Sequence, residues 1–226
     1  MSDDLPSATS RRHRGLWAVL ALLWMGAVTA GLATLAAYDN APGTAASAPP
    51  RWPFASRLAL DRARPTLVML AHPRCTCTRA SVGELAELMA RAPQRPKAYV
   101  VFVKPGRAGA SAAWARTDLW DRAVAIPDVT VLRDDDGHEA ALFGGETSGQ
   151  TFLYAPDGAL LFSGGTTGAR GHPGDNAGRA TLLALLRHET ASHRTTLVFG
   201  CSLFAAGDRA SDSQAHETSH AHPHAN

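Results

Sequence analysis

The sequence lacks an excess of charge of either sign: 22 Lys and Arg stand against 20 Asp and Glu, for a net of +2. Without a basic surplus there is no polycation to neutralise a phosphate backbone, which argues against a nucleic-acid partner. Cysteine is scarce. Three in 226 residues are too few to staple a secreted miniprotein, and a chain this long does not need such staples. Glycine (20) and proline (14) stay in ordinary proportion, so collagen-like and wholly disordered chains are excluded. No Gly-x-Ser-x-Gly or His-Glu-x-x-His element is present. The glycine-rich stretch from Gly164 (GGTTGARGHPGDN) has no Lys-Ser/Thr, so it is not a P-loop. It reads as a loop at the domain edge, with Arg170 and His172 as candidates near a site.

The first marked feature that is present is a run without charge. Leu16 to Ala37 (LWAVLALLWMGAVTAGLATLAA) holds 22 uncharged residues, which as a helix rises roughly 30 Å, the thickness of a bilayer core. Arg11, Arg12 and Arg14 precede it and Asp39 follows. The positive-inside rule then leaves residues 1–15 in the cytoplasm and everything after Asp39 across the membrane. The reading is an uncleaved anchor at 16–37, with a cleaved signal sequence as the alternative. Residues 38–55, rich in Ala and Pro, read as a flexible linker. Residues 205–226 are polar, with His216, His220, His222 and His224, and are expected to be a disordered His-rich tail.

Residues 56–204 remain, the size of one domain. Thr66–Ala71 (TLVMLA) and Ala98–Val103 (AYVVFV) are apolar runs suited to buried strands. Val82, Leu85, Ala86 and Met89 share a helix face that should end before Pro93. Ser111–Arg122 reads as a helix, and Val129–Leu132 as a short strand before an acidic turn. The turn Ala155-Pro156-Asp157-Gly158 separates two strands of a hairpin, Gln150–Tyr154 and Ala159–Ser163. A closing helix over Ala177–Glu189 has Asp175 or Asn176 as its N-cap. Glu84 and Glu87 are expected on a solvated helix face. The order of elements defines an α/β sandwich, a central sheet flanked by helices.

The chemistry concentrates at Cys75 and Cys77, separated by one residue. Cys75 lies between a buried strand and the start of a helix, where the positive end of the helix dipole favours a thiolate. Arg74, Arg79 and a protonated His72 would add positive charge. A disulfide between Cys75 and Cys77 would close a tight, readily reduced ring. The same thiolates suit a soft metal, so copper held by Cys75, Cys77 and His72 is the alternative. Cys201, in the apolar stretch TTLVFGCSLF, is either a distant resolving thiol or metal ligand, or a small buried hydrophobe.

The segment LVMLAHPRCTCTRASVGELAEL resembles the active-site region of membrane-anchored bacterial thioredoxin-like proteins, a group that includes periplasmic thiol-disulfide oxidoreductases. TSGQTFLYAPDGALLFSGG resembles the same family's strand-turn-strand, and the overall pattern looks like its RedB-like subgroup. The resemblance implies a thioredoxin-like fold and exchange with protein thiols and disulfides, with no cofactor required. It implies that Cys75 is the nucleophile and that Thr78 stands where the family has its resolving cysteine. Cys77 stands where a proline precedes that cysteine. Gly149 takes the place of the family's cis-proline, which positions substrate backbone and helps exclude metals. Both departures count against a standard reductase, and the second keeps copper open. The expected activity is thiol-disulfide exchange through the Cys-x-Cys pair. The rivals are a copper metallochaperone and a redox-inactive binding module.

Overall fold

β1 (Thr66–Ala71) is buried at all six positions, because the sheet is covered on both faces. In the computed structural model, which describes residues 8–44, 47–104, 112–191 and 193–204, this strand is the centre of a five-stranded mixed sheet. β2 (Lys97–Lys104) and β3 (Val129–Asp135) run parallel to it on one side. β4 (Thr151–Tyr154) and β5 (Leu160–Gly164) form the antiparallel hairpin on the other, giving the order β3-β2-β1-β4-β5. The α-helices of this unit are α2 (Thr76–Arg91), α3 (Asp118–Val124), α4 (His138–Leu142) and α5 (Ala177–Leu186). Successive side chains of a strand point to opposite faces, and the core divides accordingly. Leu67 and Met69 pack with Leu85, Met89 and Leu182 of α2 and α5. Val68 and Leu70 pack with Ala140 of α4, Phe143 and Tyr154. This is the thioredoxin-like α/β arrangement expected from the sequence.

The chain forms two units, residues 1–41 and 42–226. The first contains α1 (Ala8–Asp39). Its span His13–Asp39 has a mean hydropathy of 2.0 and is long and apolar enough to cross a membrane. The hydroxyls of Thr29 and Thr34 donate to the carbonyls of Met25 and Ala30 one turn back, so these polar groups are satisfied within the helix.

Four local expectations need correction. Much of the stretch expected as a flexible linker is docked to the domain. Gly43 N–H donates to Val198 O (2.8 Å), Tyr154 Oη donates to Pro49 O (3.1 Å) and Leu160 N–H donates to Pro50 O (3.0 Å). Trp52 packs edge-on to Phe143 and Tyr154. Prolines that cannot donate still offer carbonyls to an edge strand, and the indole supplies apolar area. Second, the helix expected over Ser111–Arg122 is a 3-10 turn, Ala112–Ala115, followed by α3. Thr117 interrupts them in an extended conformation, its hydroxyl donating to Pro73 O (3.2 Å). Third, the acidic turn after β3 leads into α4, whose first N–H groups bond to the Asp134 carboxylate at 3.0 and 2.9 Å.

The fourth concerns Glu84. It is 2% exposed rather than solvated. Its carboxylate pairs with Arg179 of α5 and accepts from Gly174 N–H (2.6 Å) and Asn176 Nδ2 (3.0 Å). The pair joins α2 to α5. The His-rich tail falls outside the described residues.

Breaking a buried ion pair strands the remaining charge, at a cost of about 3–5 kcal/mol. Arg179→Ala is expected to lower stability by that order in urea unfolding of the full chain in detergent, followed by tryptophan fluorescence. Adding Glu84→Gln to it should restore part of the loss.

Candidate active site

β1 ends at Ala71, and His72 to Arg74 carry the chain to α2. Cys75 occupies the N-cap in an extended conformation, with φ −90° and ψ 119°. The turn is tied by Cys75 N–H to His72 O and by Thr78 N–H to Cys75 O, both 3.1 Å. The Thr78 side chain, at the position matched to a resolving cysteine, makes two further bonds. It donates to His72 O at 3.2 Å and meets Ser148 Oγ at 2.7 Å. Ser148 Oγ also accepts from His72 N–H at 2.8 Å.

Gly149, matched to the cis-proline, follows directly. Its N–H donates to Leu70 O (2.7 Å) and its φ is +90°, a conformation that favours glycine. The loop before β4 is thereby fastened to the end of β1, beside Cys75.

The stretch containing Cys201 lies along this loop. Ser148 N–H donates to Cys201 O and Leu203 N–H to Glu146 O, each at 2.8 Å. Thr147 and Ser202 form an antiparallel bridge. A Cβ at Gly200 would collide with the Ser148 carbonyl, so glycine permits the close approach. Arg170 holds the other side, donating from Nη1 to Gly200 O at 2.6 Å. The result is that Cys201 is brought beside Cys75, close enough, like Cys77, to influence its ionisation. All three cysteines are free thiols. Cys75 is 1% exposed and Cys77 8%.

The three thiols are electrostatically unequal. Burial by itself pushes Cys75 up. Hydrogen bonds from the Cys201 thiol and N–H, then from the Thr78 hydroxyl, outweigh it and hold Cys75 below the ordinary cysteine value. Burial, followed by the bond to Cys75 and its charge, pushes Cys201 up to about 12. Cys77 is raised by burial first and then by the charge on Cys75, while Arg170 acts in the opposite sense on both. Of the three thiols, Cys75 is therefore the one that ionises first.

Several expected charges act elsewhere. Arg74 is exposed and its guanidinium lies over the Trp114 ring, 5.3 Å from its centroid. Arg79 pairs with Asp118. His72 is held neutral, its pKa lowered by burial and then by Arg74. Its Nδ1 accepts Arg74 N–H at 3.2 Å, and the ring meets Trp114 edge-on. The cation that acts on Cys77 and Cys201 is Arg170. Among the described residues no group of three or more His, Cys, Asp or Glu side chains is placed to hold a metal, and His72 Nδ1 is taken by Arg74 N–H. Sequence reasoning missed Ser148, although its place before Gly149 was a usable signal. It also missed Trp114, which carried none.

No family model and no curated protein matches the chain. Among solved structures it is similar to a hypothetical protein from Sinorhizobium meliloti, at 20% identity and a TM-score of 0.54. That match covers 74% of this chain and 96% of the other. An uncharacterized conserved protein from Geobacillus kaustophilus gives a TM-score of 0.54 at 14% identity, over 74% and 94% of the two chains. Such likenesses show the fold. The pneumococcal exposed lipoprotein thioredoxin from Streptococcus pneumoniae is similar at 18% identity over 56% of this chain and 86% of that one. Its TM-score of 0.41 is too low to bear on function. Fold and site together define a thioredoxin-like domain with a Cys-x-Cys pair, in a chain that also carries an N-terminal apolar helix.

A thiolate is the reactive form, so a lowered pKa keeps Cys75 nucleophilic until the pH falls through that lowered value. Thr78→Val removes the hydroxyl that helps lower the Cys75 pKa. It should move the pH profile of Cys75 alkylation upward and slow alkylation several-fold at neutral pH. Peptide mass mapping after iodoacetamide pulses measures both.

Proposed function

We propose that this chain is a membrane-tethered protein that exchanges thiols and disulfides with partner proteins outside the cytoplasmic membrane, using Cys75 as nucleophile. The observation that carries the reading is the place of Cys75 at the N-cap of α2, with Cys77 two positions on and the Cys201 main chain bonded to Ser148, and the lowered pKa of Cys75 agrees with it. Nucleophilic attack needs a thiolate, and resolution of the mixed disulfide needs a second thiol within reach. Cys77 and Cys201 both meet that requirement.

The Cys75 thiolate attacks one sulfur of a partner disulfide and releases the other as a thiolate, which takes up a proton. The second thiol of this chain loses its proton and attacks Cys75 Sγ, releasing the partner as a dithiol and leaving an intramolecular disulfide. Microscopic reversal oxidises a partner dithiol. Thr78 and the N-terminus of α2 position and stabilise the thiolate, and the neighbouring loop at Ser148 and Gly149 lies where partner backbone would approach. The helix α1 serves as the anchor. Arg11, Arg12 and Arg14 before it and Asp39 after it support an extracytoplasmic domain, where disulfides persist. Placement with the RedB-like subgroup rests on the sequence resemblance.

Cys75→Ser should reduce exchange with a fluorescent glutathione disulfide to the uncatalysed background. Cys77→Ser should retain the first chemical step and trap or slow the second only to the extent that Cys77 resolves. Undiminished exchange in Cys75→Ser would overturn the assignment. Tight anaerobic Cu(I) binding to wild type, lost in Cys75→Ser and Cys77→Ser and accompanied by no exchange activity, would replace it with the metallochaperone reading.

A further inference from the structure

Cys75 is 1% exposed, yet attack on a disulfide requires open access to its sulfur. The cover includes the chain's own segment near the end of the described residues. Val198, Phe199 and Leu203 are buried, and Gly200 to Leu203 run antiparallel to the 146–148 loop. Two main-chain hydrogen bonds and the bond from Arg170 to Gly200 O hold them there. The main-chain groups of the loop that the segment engages are Glu146 O and Ser148 N–H. The segment satisfies both, and it carries a cysteine whose thiol meets Cys75.

Cys77 is placed differently. It follows Cys75 by two positions, in the first turn of α2, and interacts with Cys75 from within the same local segment. Cys201 comes from a separate segment and approaches the N-cap from outside the helix.

We propose that residues 199–204 form a displaceable internal strap, and that Cys201 is the thiol that closes on Cys75. A partner's cysteine-bearing segment and the strap compete for the same edge beside Cys75, so one must leave for the other to bind. This rests on thiol-disulfide exchange at Cys75 and adds which thiol resolves it and what governs access.

The strap moves off and Cys75 attacks the partner disulfide, releasing one partner thiol. Its return carries Cys201 to the Cys75–partner bond. Cys201 gives up its proton to solvent and bonds to Cys75 Sγ, and the second partner sulfur leaves and is protonated. The partner disulfide is the oxidant, and the products are two partner thiols and the Cys75–Cys201 disulfide. In that oxidised form the strap is locked closed and Cys75 is shielded until a partner dithiol reduces it.

The test equilibrates the full chain in detergent with glutathione redox buffers and maps disulfides by mass spectrometry. The expected product under oxidising conditions is a Cys75–Cys201 disulfide that persists in Cys77→Ser and is lost in Cys201→Ser. A Cys75–Cys77 disulfide with Cys201 left reduced would overturn the strap assignment and leave the exchange reading standing. Absence of any disulfide or glutathione adduct at Cys75 at every poise would overturn both.

Access is read separately on the reduced protein. Gly200→Val drives the strap from Ser148 O and should speed iodoacetamide labelling of Cys75 about ten-fold, as expected when local opening limits reactivity. Arg170→Met, which removes the bond to Gly200 O without adding bulk, should act in the same direction if the first variant fails to fold. Labelling as slow as in wild type in a folded variant would show that the segment does not gate Cys75.

Discussion

The hydrogen bonds of Ser148 hold together the three parts of the chain on which the site depends. Its hydroxyl accepts from His72 N–H at the end of β1 and meets Thr78 Oγ1 in α2, while its own N–H donates to Cys201 O. Ser148 itself lies 76 residues from His72 and 70 from Thr78 in sequence, so its bonds are long-range. A buried hydroxyl with partners on all sides fixes position more narrowly than apolar packing does, because each bond has a direction as well as a distance. Loss of this residue would leave the His72 N–H and the Thr78 hydroxyl to find new partners in a region closed to water.

The electrostatics follow from that geometry. Two buried thiols and a half-buried one would ordinarily all have raised pKa values. Hydrogen bonds from Cys201 and Thr78 concentrate the negative charge on Cys75, and that charge in turn holds protons on Cys77 and Cys201. The effects reinforce each other: negative charge on Cys75 keeps its neighbours protonated and so still able to donate to it. Arg74 and Arg79, for all their nearness in sequence, direct their charges to Trp114 and Asp118. Arg170, from the glycine-rich loop, is the cation that reaches the thiols.

Local pattern made much of this fold legible. The apolar run of β1, the spacing of Val82, Leu85 and Met89, and the Pro-Asp-Gly turn between β4 and β5 each encode structure within a few residues. The Asn176 N-cap was equally local. What escaped was long-range. Glu84 looks like a solvated helix position because its partner Arg179 lies 95 residues away. Trp52 sits in a stretch rich in small residues and proline whose docking depends on Phe143 and Tyr154. The helix expected from Ser111 breaks because the Thr117 hydroxyl finds Pro73 O. Cys75 was identifiable as the reactive residue from its place between strand and helix. The convergence of Cys201 on it was not, since it depends on Gly200 admitting the backbone of one segment against Ser148 of another.

The central claim is that one thiol is kept ionised at the expense of the other two. It is tested most directly by following thiolate ultraviolet absorbance against pH in the fully reduced chain. The account predicts a single ionisation below the ordinary cysteine range that disappears in Cys75→Ser, with the remaining two thiols ionising above that range. Three thiols titrating together at or above the ordinary value would contradict it.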